Sequence, residues 1–164
     1  SVGELFYCVL HESCKIFLMK IKRSALVVHS AADMYQLVKD VPAYPGFLSW
    51  CTATLVHEQT DEEQTASLTV SVAGVIQKFT TINSLYVSER IDMKLLEGPC
   101  KDLQGAWSFL QLGEDGSKVS LHLEFEMRKG PVAKVFGKGF GKIADRLLDD
   151  FCKRADEVYT HHAY

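Results

Sequence analysis

The chain has 164 residues, of which 47% are apolar and 24% charged, the proportions of one ordinary globular domain large enough to enclose a full core. A net charge of −3 excludes a protein that coats nucleic acid with its whole surface and argues against a DNA partner, while leaving room for a local basic patch. The five cysteines, Cys8, Cys14, Cys51, Cys100 and Cys152, fit neither a disulfide framework nor a zinc pattern, which places the expected thiols reduced and the protein in the cytoplasm.

In chain order, residues 1–18 carry short apolar runs interrupted by Glu4, His11 and Glu12, with the one lysine behind the first run. That order is wrong for a signal peptide. No apolar stretch approaches the roughly 18 residues that span a bilayer. Met19 is followed at once by a strand pattern, so the expected domain runs from 19 to 164, with 1–18 as an extension outside the fold and Met19 as the natural start. Residues 20–28 alternate around Ile21, Leu26, Val27 and Val28 and predict a strand. Ser30 is placed to cap a helix reaching about Lys39, with Met34, Leu37, Val38 and Val41 at helical spacing.

The next twelve residues, Asp40 to Cys51, are the least generic in the chain. Pro42 and Pro45 forbid a regular helix and push their predecessors towards extended backbone. Yet Val41, Tyr44, Phe47, Leu48 and Trp50 are too much apolar surface for a solvated loop. Such a segment packs down as a plug over an apolar interior. Six strand patterns follow, at 51–58, 65–73, 76–88, 89–97, 103–112 and 118–128, with turns at Glu58–Glu63 and Gly113–Gly116. In the last strand Val119, Leu121, Leu123, Phe125 and Met127 share one face, and Ser120, His122, Glu124, Glu126 and Arg128 the other. Pro131 then opens a helix to about Tyr159, striped by Phe136, Phe140, Ile143, Leu147, Phe151, Ala155 and Val158. The expected class is α+β: a curved antiparallel sheet of about seven strands wrapped on a long C-terminal helix, the helix-grip shape.

Three constellations bear on chemistry. Gly137, Gly139 and Gly141 each cost about 1 kcal/mol in a helix relative to alanine. They read either as room left beside a cavity or as close packing of helix on sheet. The residues expected to wall a cavity are Tyr44, Phe47, Trp50, Phe79, Met93, Trp107, Phe109, Phe125, Phe136 and Phe140. Arg128, Lys129, Lys134, Lys138, Lys142 and Arg146 form a basic run against the single acid Asp145. Four of them recur every four residues, a ridge that repels itself and reads either as a solvated face or as a contact for phosphate, in ribosomal RNA or anionic membrane headgroups. His122, Glu124 and Glu126 offer acid and base groups, but on the face opposite the apolar one. His29, His57, His161 and His162 lack metal-ligand spacing, and Cys51 has no identifiable histidine partner. No catalytic residue, metal or required cofactor is expected.

The chain resembles the START-like superfamily, in its polyketide cyclase and lipid-transport branch, which holds a bacterial ribosome association toxin and a mitochondrial coenzyme-Q-binding protein. The likeness rests on Ser24-Ala25-Leu26-Val27 with Ser30, Val41 with Tyr44-Pro45, Phe47-Leu48 and Trp50-Cys51. It continues through Phe79-Thr80-Thr81 with Asn83, Arg90-Ile91-Asp92-Met93, Leu96 with Gly98-Pro99, and Leu103 with Gly105 and Trp107. Val119-Ser120-Leu121, Glu124-Phe125-Glu126 and Ile143-Ala144-Asp145 leading to Phe151 complete it, over about residues 20–160. Ser49 departs from the pattern, which has proline there. The resemblance implies non-catalytic binding of an apolar ligand, an isoprenoid quinone such as ubiquinone or another lipid, between sheet and last helix, in support of respiratory quinone function. Such a carrier would sit peripherally at the inner membrane. The alternative it implies is a toxin that binds the large ribosomal subunit and blocks subunit association. A polyketide cyclase-like enzyme is the third.

Overall fold

A computed structural model describes residues 2–4 and 17–159. Eight strands form one antiparallel sheet: β1 (Val2–Glu4), β2 (Phe17–Val27), β3 (Cys51–Gln59), β4 (Glu63–Val72), β5 (Val75–Tyr86), β6 (Arg90–Glu97), β7 (Cys100–Leu112) and β8 (Gly116–Met127). Their spatial order is β1-β2-β8-β7-β6-β5-β4-β3. Helix α1 (Ala31–Lys39) and a 3-10 turn (Val41–Gly46) connect β2 to β3, and α2 (Pro131–Tyr159) closes the chain. This is the expected helix-grip arrangement, with one addition. Strand pairing reaches further towards the N-terminus than the boundary expected at Met19. Phe17 and Leu18 are in register with Met127 and Glu126, and Val2–Glu4 lies along Lys22–Ser24. These two stretches therefore belong to the sheet, the first continuing β2 and the second covering its otherwise open edge. Residues 5–16, with Cys8 and Cys14, and the His161-His162 pair lie outside the described residues.

Local chemistry explains the elements. Ser30 Oγ accepts from the Asp33 amide at 3.1 Å and caps α1, whose Met34, Tyr35, Leu37 and Val38 face inward. The two prolines force 3-10 geometry on Val41–Gly46. In β8 the alternation is borne out: Val119, Leu121, Leu123, Phe125 and Met127 are buried. Gly105 in β7 lies close against β8, since a Cβ there would come within 2.6 Å of the His122 carbonyl oxygen.

Helix α2 lies on the concave face and is held by both packing and charge. Arg23 on β2 donates to Asp145 at 3.0 Å and to Asp149 at 3.2 Å. A Cβ on Gly139 would run into Val72 Cγ1, and one on Gly141 into Met19 Sδ. For these two glycines the close-packing reading holds, not the one that leaves room. The core has two halves. One gathers α1, the 3-10 turn, Trp107, Phe109, Leu148 and Phe151; the other gathers Phe79, Phe125, Phe136 and Phe140. Trp50, Leu68 and Met93 pack against both.

Candidate functional site: an apolar cavity behind a basic helix

At that seam the two halves fail to close. A cavity of about 100 Å³ is walled by Val41, Tyr44, Trp50, Ala66, Leu68, Val70, Phe79, Met93, Leu103, Leu123, Phe140, Ile143, Ala144 and Leu147, with Thr81 and Asn83 as its polar groups. The Asp40–Cys51 segment roofs it as expected. Tyr44 is buried, donates its hydroxyl to the Val38 carbonyl, and meets Phe151 edge-to-face at 5.2 Å. Burial, with Cys51 and Asp40 nearby, holds that phenol well above its ordinary range. Trp50 forms the other side of the roof. Its Nε1 is buried without a hydrogen bond of full geometry; the Asp150 carboxylate is the acceptor that it helps to keep ionised.

Apart from the Trp50 Nε1, the polar groups in the wall are paired within the protein. Thr81 donates to Asn83 at 3.0 Å, Asn83 to Gln64 at 3.1 Å, and Gln64 to the Lys39 carbonyl at 3.0 Å. A guest therefore meets an apolar surface. Its size is restricted as well, because pockets for drug-sized ligands run to about 300–1,000 Å³, whereas an apolar void of about 150 Å³ takes a benzene. An isoprenoid quinone does not fit this cavity as it stands.

Of the ten side chains expected to wall a cavity, Tyr44, Trp50, Phe79, Met93 and Phe140 do so. Trp107, Phe109, Phe125 and Phe136 are buried in the solid core instead. Phe47 lies outside the cavity, in a polar cleft of about 290 Å³ with Asp150, Lys153, Arg154 and Glu157, where the Arg154 guanidinium sits 5.3 Å from its ring centre. Leu68, Val70, Leu103 and Leu123 were not anticipated as walls. Their inward alternation was legible, but aliphatic residues look alike in sequence whether they line a void or fill one.

The basic run is exposed throughout: Arg128, Lys129, Lys134, Lys138, Lys142 and Arg146 all face solvent. None forms an ion pair with a carboxylate among the described residues. Asp145, the acid within the run, is turned to Arg23. The last four cations advance about 6 Å along α2 at each step and about 40° around it. Strand register shows that the ridge begins at one pole of the molecule. The turns after β4, β6 and β8 and the start of α2 gather there, with exposed Lys78, Lys101, Arg128, Lys129, Lys134 and Lys138 against Glu97 and Asp102. The opposite pole carries exposed Glu58, Asp61, Glu62, Glu63, Glu89, Glu114, Asp115, Asp156 and Glu157 against Arg90, Lys118 and Lys153. A chain of net charge −3 is thus strongly dipolar, and an anionic surface would draw in its basic pole.

The acid–base trio lies on the convex face, away from the cavity. His122 Nε2 and Glu124 Oε1 are 3.3 Å apart in a groove of about 370 Å³ with Asp92, Lys94 and Gln104. Burial is the largest single influence on the Glu124 carboxyl and raises it, but Gln104, Lys20 and His122 together outweigh burial and leave it lowered. His29 is engaged with Asp156 at 2.6 Å, and His57 with Ser67 at 2.6 Å. Among the described residues no cluster of ligating side chains is grouped to hold a metal ion. Cys51, Cys100 and Cys152 are free thiols. Burial pushes Cys100 up to about 12 and, with Asp149 and Asp156, Cys152 up to about 11, which leaves both poorly nucleophilic.

Residues 27–152 match the family described as polyketide cyclase / dehydrase and lipid transport. The chain is 41% identical over 146 residues to the persistence and stress-resistance toxin PasT of Escherichia coli, covering 89% of this chain and 92% of that protein. It is 42% identical over 140 residues to the ribosome association toxin RatA of Vibrio cholerae, covering 85% and 97%. Two solved structures share the fold. The Zhui aromatase/cyclase of Streptomyces superposes with a TM-score of 0.75 at 18% identity, over 90% of this chain and 99% of that one. A START superfamily protein of Mycobacterium smegmatis gives 0.71 at 19%, over 85% and 98%.

Proposed function

We propose that this chain, which belongs to the polyketide cyclase / dehydrase and lipid-transport family, is a non-catalytic ribosome-binding toxin that associates with the large ribosomal subunit and keeps the subunits apart. The observation that carries the reading is the row of exposed cations on α2, none in an ion pair among the described residues, rising from the basic pole of a net-acidic protein. Clustered like charges weaken the isolated helix, and a polyphosphate surface supplies what they lack. The relative at 42% identity is named for ribosome association and the one at 41% is likewise named a toxin, which supports the reading. In this reading the protein acts by occupying a surface, and the convex-face histidine and carboxylates have no chemical part.

The test is a sucrose gradient of purified ribosomes at magnesium levels that hold the subunits together. Added protein should shift the profile towards free subunits and travel with the large one. A variant with Lys134, Lys138, Lys142 and Arg146 changed to glutamate should do neither. Unaltered subunit profiles with the unmodified protein would end this account.

The cavity supports a second, coarser reading, in which the protein also takes an apolar molecule. Its largely apolar wall suits a short alkyl chain or, with slight expansion, a compact arene. A quinone headgroup with its isoprenoid tail requires α2 to move outward. Extraction of the purified protein into organic solvent, followed by mass spectrometry, distinguishes the two cases by what is recovered.

A further inference from the structure

The basic pole carries a feature that phosphate binding does not use. Ile76 on β5, Leu96 on β6, and Val132 and Val135 on α2 are 67%, 57%, 58% and 53% exposed. They belong to three separate chain segments that topology brings to one pole. Their neighbours Val75, Leu95 and Ala133 pack against the same half of the core, so the exposed side chains stand on a braced base. The short link between β4 and β5 is fixed by Ala73 and Gly74, both at positive φ. Aliphatic tips among lysines offer nothing to an RNA backbone, since a phosphate rewards charge and hydrogen bonding alone. They sit at strand ends beside turns and at a helix start rather than in a groove.

We propose that this pole docks on anionic lipid bilayers, with Ile76, Leu96, Val132 and Val135 entering the headgroup boundary while Arg128 and Lys129 meet lipid phosphates. No helix of the described chain is long and apolar enough to cross a membrane, so the contact is peripheral. An interfacial site of this kind combines apolar burial with attraction to anionic headgroups, and weakens when either is removed. Its four aliphatic side chains are ones that the ribosome contact does not need, so changing them tests it separately from that contact.

The experiment is flotation of the full chain with vesicles of equal parts phosphatidylglycerol and phosphatidylcholine, beside vesicles of phosphatidylcholine alone. The rim variant carries Ile76→Thr, Leu96→Thr, Val132→Gln and Val135→Gln, all at exposed positions, with thermal unfolding as the check on folding. A matched control carries Leu26→Thr and Leu110→Thr, aliphatics 75% and 58% exposed at the acidic pole. The unmodified protein should float with the anionic vesicles only. The rim variant should lose about tenfold or more in vesicle affinity, the control nothing, and both should still sediment with ribosomes. Equal flotation of the rim variant and the unmodified protein would mean that charge alone acts, and overturns the proposal. So would an equal loss in the control, an unmodified protein that ignores anionic vesicles, or a rim variant that loses ribosomes while keeping vesicles.

Discussion

Replacing Lys134, Lys138, Lys142 and Arg146 with glutamine removes four exposed charges while leaving the buried face of α2 untouched. None of the four is held in an ion pair within the described protein, so the change should cost little stability and should relieve repulsion worth a few tenths of a kcal/mol per pair. Its effect belongs to the RNA contact. Each phosphate neutralised contributes about 0.7 to 0.9 to the slope of log affinity against log salt. Four contacts therefore make that slope steeper by about 3, and a fourfold rise in salt should cost the unmodified protein roughly 50- to 150-fold more affinity than the variant. The measurement is co-sedimentation with isolated large subunits over a salt series, analysed as a slope. An unchanged slope would refute the ridge as a phosphate contact even if binding weakened overall. A graded loss through single substitutions, about one unit of slope each, would show that all four act.

Four further outcomes follow from the packing of α2 and from the charge beside the cavity roof. Gly141→Ala should be neutral or stabilising by up to about 1 kcal/mol, because the Met19 thioether can swing aside. Gly139→Ala should destabilise by about 1–3 kcal/mol less that gain, since Val72 is stiff and buried; adding Val72→Ala should recover part of it, read as coupling in urea unfolding. Phe140→Ala removes a ring stacked 4.9 Å from Phe79 and edge-on to Phe125 at 4.9 Å. It should cost about 3–5 kcal/mol and enlarge the cavity, so that an added arene restores part of the lost Tm. Burial raises the Asp150 carboxyl, Arg146 and Trp50 pull it down, and Asp149 pushes it up. A carboxyl raised in the fold holds its proton more tightly folded than unfolded. Its contribution is therefore full below the ordinary value of 3.8 and is lost as pH climbs through the raised one. Asp150→Asn should raise Tm at neutral pH, by less than about 1 kcal/mol equivalent for so exposed a group, and should flatten the stability profile just above that value.

Element type and order were legible because the signals were local: period-two alternation in β8, Ser30 before an apolar helix stripe, and turn residues at Gly113–Gly116. The plug was legible for a similar reason, since prolines and aromatics seldom share a loop without being buried. Which aromatics face the void was not legible. Phe125 and Phe140 occupy equally apolar positions, yet Phe140 lines the seam and Phe125 fills the space behind it. That choice depends on how closely β8 approaches Gly105 and how closely α2 settles against Val72, neither of which any single stretch encodes. The charge polarity was hidden for the same reason, because Glu62, Glu89 and Glu114 come together only through strand register.

Helix α2 presents Phe140, Ile143, Ala144 and Leu147 to the cavity and Lys138, Lys142 and Arg146 to solvent on alternate sides of the same rod. Any guest too bulky for the present volume must lever that rod outward, and the lysine comb travels with it. Cargo and target then cease to be independent: whatever factor a guest imposes on the grip for an anionic surface, that surface imposes on the guest.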